Sequence, residues 1–205
     1  MPRRGGTKST PPTLGPDDQL PGHPARVLVA GVSGSGKTTL AGRISALAQL
    51  PHTEIDSLHH GPGWMPRADF EADVRALASS DRWVAEWQYR QVRQLLAGRA
   101  DLLVWLDLPF VRITLPRLLW RTVRRRWRRE VLWNGNVEPP LWTVLRDREH
   151  VVRYAITGRR THHLKIPALA VERPDLPIVR LRSPAEVERW LAGPLLRALQ
   201  APRGQ

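Results

Sequence analysis

The sequence predicts an α/β domain built on a parallel, doubly wound sheet. Two observations carry that prediction. Short apolar, β-branched runs alternate with amphipathic helical runs along most of the 205 residues, the pattern of a parallel sheet covered on both faces. The first of these units joins its strand to its helix through Gly31-Val32-Ser33-Gly34-Ser35-Gly36-Lys37-Thr38, which fits the phosphate-loop spacing G-x-x-x-x-G-K-[ST] at every defined position.

Taken in order, Met1 to Pro24 is rich in Pro, Gly, Thr and Ser without a hydrophobic period and reads as a disordered leader. Its Arg3, Arg4 and Lys8 are available to an anionic partner. Arg26 to Ala30 is a buried strand, and Thr39 to Ala48 is a helix with Leu40, Ile44 and Leu47 at helical spacing. His52 to Ile55 is a second strand ending at Asp56, followed by a turn-rich loop from Leu58 to Arg67. Asp69 to Ser79 is a helix burying Phe70, Val74 and Leu77. Trp83 to Glu86 is the third strand, Gln88 to Leu96 a short helix, and Asp101 to Leu106 the fourth strand. Asp107 then reads as a turn or helix cap. A long helix runs from Phe110 to about Leu132, broken by Asn134-Gly135-Asn136, and a further helix covers about Leu141 to Ala155. Pro177 to Leu181 is the fifth strand. Ser183 caps the last helix with Glu186 in a capping box, turning Val187, Trp190 and Leu191 inward. This gives one domain over 25–196, a lid within about 115–155, and a tail at 197–205.

Composition sets the outer bounds. The best apolar run, Leu102 to Val111, is interrupted by Asp107, and no apolar segment follows the first arginines as a secretory signal would need. The absence of cysteine excludes disulfides and thiolate metal sites and fits a cytoplasmic protein. A net charge of +13, nearly all arginine, suits nucleotides, nucleic acid or an acidic surface, and also follows from GC-rich codon usage.

The glycine loop is the strongest chemical signal. Glycines let the backbone wrap phosphate oxygens, and the following helix adds its positive end. Gly31, Ser33, Gly34, Ser35, Gly36, Lys37, Thr38 and Thr39 therefore form the expected nucleotide site. Lys37 bridges the outer phosphates and the Thr38 hydroxyl holds Mg²⁺. Asp56 and Glu86 end neighbouring strands at the same crevice. Asp56, beside the proposed acceptor loop, is expected to orient the acceptor, and Glu86 to face the metal. In the long helix Arg117, Arg121, Arg124 and Arg128 recur at spacings of four, three and four, flanked by Arg125 and Arg129. Leu115, Leu119, Val123 and Trp127 occupy roughly the opposite face. Such a stripe suits a lid closing over a transferring phosphoryl group. Trp64, Trp133 and Trp142 sit where they could stack on a base. Neither His59-His60 nor His162-His163 has the spacing of a metal site.

Through the phosphate loop and the segments "EIDSLHHGPGWMPR", "WVAEWQY", "DLLVWLDLP", "LWRTVRRRWRREVLWNGN" and "IVRLRSPAEVERWL", the chain resembles the small P-loop kinases described as adenylate-kinase-related or DNA topology modulation (FlaR-type) proteins. The resemblance implies a nucleoside-monophosphate-kinase-like fold, a parallel sheet in 2-3-1-4-5 order, ATP with Mg²⁺, and an arginine-bearing lid. It implies that Arg67 lies in the acceptor region and that Arg121, Arg125 and Arg129 belong to the lid; Asp56, Trp64 and Glu86 are expected substrate contacts from their own positions at the strand ends and in the loop. Relatives carry Gly-Asn where this chain has Trp87-Gln88, so Trp87 is expected to crowd the crevice. The expected activity is transfer of the γ-phosphoryl group of MgATP to a small acceptor, nucleotides included. The alternatives are a plain ATPase and an ATP-dependent regulator that binds nucleic acid. No helix-turn-helix, RRM or zinc signature supports the regulator.

Overall fold

Val27, Leu28, Val29 and Ala30 are fully buried because their strand is the middle of the sheet. Residues 13–127, 131–136 and 151–201 are described by the computed structural model, the side chains of 125, 126 and 151–159 excepted. The strands are β1 (Arg26–Gly31), β2 (His52–Thr53), β3 (Trp83–Glu86), β4 (Leu102–Leu106) and β5 (Ile178–Leu181). Every pairing is parallel, in the order β2-β3-β1-β4-β5. The chain therefore has an α/β P-loop fold of the nucleotide-kinase type, as the sequence implies.

Successive strand side chains alternate between two apolar layers. Leu28, Ala85, Leu103 and Ile178 face one layer, with Phe70, Val74, Leu96, Ile166 and Leu169. Val29, Val84, Val104 and Val179 face the other, with Leu40, Ile44, Val187 and Trp190. The helices that supply these residues are α1 (Lys37–Ala48), α3 (Phe70–Ser79), α4 (Arg93–Arg99), α6 (Val151–Glu172) and α7 (Pro184–Trp190). In α7 the Glu186 N–H donates to Ser183 Oγ at 3.2 Å while the Glu186 carboxylate accepts the Arg182 N–H at 2.7 Å, a capping box of the expected kind.

Several boundaries differ from the sequence reading. The second strand stops at Thr53, and Ile55–His59 forms a short helix, α2. Its turn is fixed by the buried Glu86 carboxylate, which accepts the Ile55 N–H at 3.2 Å. Asp56 thus stands in a helical turn rather than at a strand end. The helix expected from Gln88 starts only at Arg93. The long helix opens with a wide turn at Phe110–Thr114 before α5 (Leu115–Trp127), and Pro109, not Asp107, precedes it. The helix expected over 141–155 has its first ten residues outside the described region, and α6 carries on to Glu172. Leu47 is exposed on α1.

Both expected tails shorten. Leu14 donates to Ile178 O and accepts from Arg180 N, each at 2.8 Å, so it covers the outer edge of β5. Leu20 is buried against the same layer. Residues 1–12 lie outside the described residues. At the other end α8 (Leu196–Gln200) buries Ala198. At the N-terminal stretch, apolar contact by Leu20 outweighs the polar composition that marked it as disordered. Among the described residues no helix is long and apolar enough to cross a membrane.

Candidate active site

The carboxyl ends of β1 and β3 lie side by side, Val29 being paired with Glu86, and the glycine loop leaves β1 there. Gly34 and Gly36 adopt φ of +81° and +93°, which an L side chain rarely tolerates. Gly34 is also closely covered: a Cβ there would stand 2.8 Å from Leu118 Cβ and 2.9 Å from Thr114 O. The loop is thus pressed against the start of α5. Lys37 Nζ donates to Val32 O at 3.3 Å, folding the side chain back over the loop. Ser33 is half-buried and Ser35 buried, while Thr38 and Thr39 present exposed first-turn positions of α1. Ser35 Oγ, against Gly31, has no hydrogen-bond partner among the described residues.

The charges of four side chains on four elements act on Lys37. Burial pushes its ammonium below the ordinary lysine value. Asp56 of α2 and Glu86 of β3 pull the value back up, and Arg121 of α5 and Arg93 of α4 push it further down. Arg93 was not marked by any motif; its only sequence signal is a position on the element after a strand-end acid.

The two acids are held differently. Glu86 is almost completely buried, with Oε2 on the Ile55 N–H at 3.2 Å and Oε1 3.5 Å from His52 Nε2. Burial alone pushes its carboxyl up, but His52, the Ile55 N–H and the Lys37 charge together hold it below the usual glutamate value. Asp56 is half-buried at the crevice. Its Oδ1 accepts the Tyr89 hydroxyl at 2.6 Å and the Gln88 amide at 3.1 Å.

Trp87 is a correction. It does not crowd the crevice: it lies in the core, its Nε1 donating to Arg93 O at 3.1 Å and the Arg93 guanidinium 5.2 Å from its ring centroid. The strand-end residue turns inward because a large apolar layer is there to receive it.

The loop from Leu58 to Arg67 and the chain after α5 meet. Trp133 Nε1 donates to Glu54 Oε2 at 2.9 Å, and Asn134 Nδ2 donates to His60 O. Asn136, buried, donates to Gly61 O at 2.9 Å and accepts the Trp64 N–H at 3.0 Å. Trp64, His60 and Trp133 form a ring cluster, His60 lying 5.1 Å from Trp64 and 6.5 Å from Trp133. Arg67 pairs with Asp73 at 3.0 Å and donates to Leu58 O at 3.3 Å, so its guanidinium braces the loop. Trp142 lies outside the described residues.

The arginine stripe divides. Leu118 and Thr122 are the buried face of α5, and half-buried Arg121 is beside them. Arg117 and Arg124 are exposed, Arg124 stacking on Trp120 at 5.3 Å. Leu119, Val123 and Trp127, on the face roughly opposite the arginines, are 42%, 47% and 87% exposed. Leu118 turns inward because Gly34 has no side chain to oppose it. The side chain of Arg125 and all of Arg128 and Arg129 lie outside the described residues.

Asp107 is not a cap. Its carboxylate accepts from Arg180 Nε at 2.9 Å and pairs with His163 Nε2 at 3.0 Å, tying α6 to the ends of β4 and β5.

The residues fit a nucleotide phosphate: the loop supplies the cradle and Lys37 the fixed charge. Among the described residues no group of three or more His, Cys, Asp or Glu could hold a metal ion.

No protein-family model matches the chain, and no curated protein does. Solved structures do. A sugar kinase from a Janibacter species is 19% identical, with 91% of this chain and 97% of that one covered at a TM-score of 0.45. A gluconokinase from Sinorhizobium meliloti is 20% identical over 88% and 95% of the two chains, with a TM-score of 0.48. A shikimate kinase from Acinetobacter baumannii, solved with shikimate, is 16% identical over 82% and 89%, with a TM-score of 0.45.

Proposed function

We propose that this chain is an ATP-dependent phosphotransferase that moves the γ-phosphoryl group to a small acceptor. One observation carries the reading: the glycine loop leaves β1 where Val29 pairs with Glu86, and Glu86 in turn accepts the Ile55 N–H next to Asp56, so two carboxylates whose charges reach Lys37 stand at the loop's end of the sheet. A simple anion-binding loop has no use for two carboxylates beside its lysine. A transfer site does, because it must hold phosphates with cations and an acceptor with an acid.

In this reading the loop from Gly31 to Thr39 binds the phosphates, Lys37 bridges the outer ones, and Arg121 supplies charge where the transferring group develops it. Mg²⁺, when bound with ATP, neutralises phosphate charge and favours in-line geometry. Thr38 would hold it directly. Glu86, with its oxygens already toward Ile55 and His52, would act on it through water. Asp56 would orient the acceptor. Arg125 and Arg129 remain proposed lid residues. Membership of the adenylate-kinase-related, topology-modulation group and a cytoplasmic location are further parts of this proposal.

Incubating the protein with ATP, Mg²⁺ and a metabolite panel, and reading products by mass spectrometry, tests it. ATP-dependent phosphorylation of a small molecule is the expected result. Purely hydrolytic turnover, unaffected by any panel member, would mean an ATPase instead.

A further inference from the structure

The Asp56 carboxylate is fixed with one oxygen occupied and one open. Both of its donors, Tyr89 Oη at 2.6 Å and Gln88 Nε2 at 3.1 Å, bond to Oδ1. Among the described residues nothing bonds to Oδ2. Tyr89 is itself held: its hydroxyl lies 3.0 Å from His60 Nε2, and its ring stacks on His59 with centroids 4.0 Å apart. It stands at φ +56°, a conformation that costs a non-glycine residue free energy and persists only where the surroundings enforce it. The strained turn after β3 therefore delivers two adjacent side chains, Gln88 and Tyr89, to one carboxylate oxygen.

Such an arrangement selects the acceptor's chemistry. A phosphate acceptor is anionic at neutral pH and has no proton to give; placed against Asp56 it meets like charge. The cations nearby do not offset this: Arg67 is paired with Asp73 at 3.0 Å, Arg93 lies over the Trp87 ring, and Lys37 and Arg121 are taken by the phosphates of ATP in the phosphotransferase reading. A hydroxyl is complementary: it donates to Oδ2 and carries no charge. His60 also links Asp56, through Tyr89, to the rings of Trp64 and Trp133, and aromatic faces receive the C–H side of a hydroxylated ring.

Resting on the phosphotransferase reading above, we propose that the acceptor is a small polyol, neutral at its reacting oxygen, and that Tyr89 and Gln88 are positioning residues that aim Asp56 at its hydroxyl. In the transfer step the acceptor oxygen bonds to the γ-phosphorus. The bond from that phosphorus to the β–γ bridging oxygen breaks, its electron pair leaving with ADP. The hydroxyl proton passes to Asp56 Oδ2. Tyr89 and Gln88, bonded to Oδ1, keep the other oxygen turned to the acceptor throughout.

The test uses the full chain with MgATP and two acceptor sets: hydroxyl compounds (glycerol, inositol, hexoses, sugar acids) and nucleoside monophosphates. ATP binding is measured separately by calorimetry. The expected result is transfer to a hydroxyl compound and none to the monophosphates. Tyr89→Phe and Gln88→Leu should each lower kcat about tenfold or more, a part of the roughly 10²–10⁴ a positioned base contributes, with ATP affinity unchanged. In Asp56→Ala, added formate should restore part of the lost transfer, and adding Tyr89→Phe should remove nothing further. Gln88 is the safer site should Tyr89→Phe fail to fold. Transfer to a monophosphate overturns the proposal. So does intact ATP binding with no hydroxyl acceptor used, or full activity in both positioning variants. Failure of the wild-type chain to bind ATP would instead remove the phosphotransferase reading, and this inference with it.

Discussion

Asn136 holds Trp64 from 72 residues away: its Oδ1 accepts the Trp64 backbone N–H at 3.0 Å. Its Nδ2 donates to Gly61 O at 2.9 Å in a buried setting, so one amide satisfies two backbone groups of the acceptor loop. Asn136→Ala would leave both unpaired, and a buried unpaired polar group costs about 1–3 kcal/mol. The expected outcome is a lower midpoint in denaturant unfolding, together with a raised acceptor KM and an unchanged ATP affinity. A variant whose ATP affinity falls as far as its acceptor affinity would show that the contact supports the whole crevice instead.

The phosphate loop depends on a missing side chain. Gly34→Ala would place a Cβ 2.8 Å from Leu118 Cβ at a φ of +81°, so both overlap and backbone strain act, on the order of 1–3 kcal/mol for the strain alone. The variant should unfold earlier than wild type and bind ATP more weakly. Gly42→Ala on α1, where an added Cβ meets nothing within 4 Å, should be neutral or slightly stabilising. Thermal unfolding of the pair measures the difference.

Arg121 should separate from its neighbours in kinetics. It is half-buried and close enough to Lys37 to lower its proton affinity, whereas Arg117 and Arg124 are exposed. Arg121→Ala should reduce kcat by about 10²-fold or more, a floor below the roughly 10³–10⁵ an arginine at a transferring phosphoryl group contributes. Arg117→Ala and Arg124→Ala should each change it less than about threefold, as exposed charges do. Equal losses in all three would mean that the helix rotates on closing over substrate.

These contrasts also show what was legible in the sequence. The strand–loop–helix unit was legible because its chemistry needs defined residues at defined spacing, and β1, β3, β4 and β5 could be placed from apolar runs, whereas β2, His52–Thr53, has none. The path of α5 was not. Spacing alone cannot say which face of a helix a glycine elsewhere will admit, so the stripe placed Leu119, Val123 and Trp127 opposite the arginines but did not mark Leu118 as the buried residue. The turn at Asp56 was read as strand because its stabilising partner, Glu86, lies 31 residues on. Tyr89 and Gln88 gain their roles only when the turn after β3 reaches Asp56 of α2, more than thirty residues away in sequence. The order β2-β3-β1-β4-β5 came from resemblance, since local pattern does not rank strands in space.

The basic surface should not behave as a sequence reader. With Arg121 turned toward the loop, duplex DNA should bind weakly and lose affinity steeply as salt rises, whatever its sequence. Fluorescence anisotropy with two unrelated duplexes across a salt series is sufficient. Tight, sequence-selective binding at physiological salt would favour a nucleic-acid-binding regulator.

The central claim, that Lys37 and its surrounding charges form a nucleotide site, is tested most directly by calorimetric titration of MgATP into wild-type protein and Lys37→Ala. Lys37 contributes no contact to the apolar layers, so the variant should keep its circular dichroism spectrum and unfolding midpoint. Wild type should bind ATP, and Lys37→Ala should bind at least about tenfold more weakly, a loss of roughly 1.4 kcal/mol. A folded Lys37→Ala protein that binds ATP as tightly as wild type would contradict the assignment.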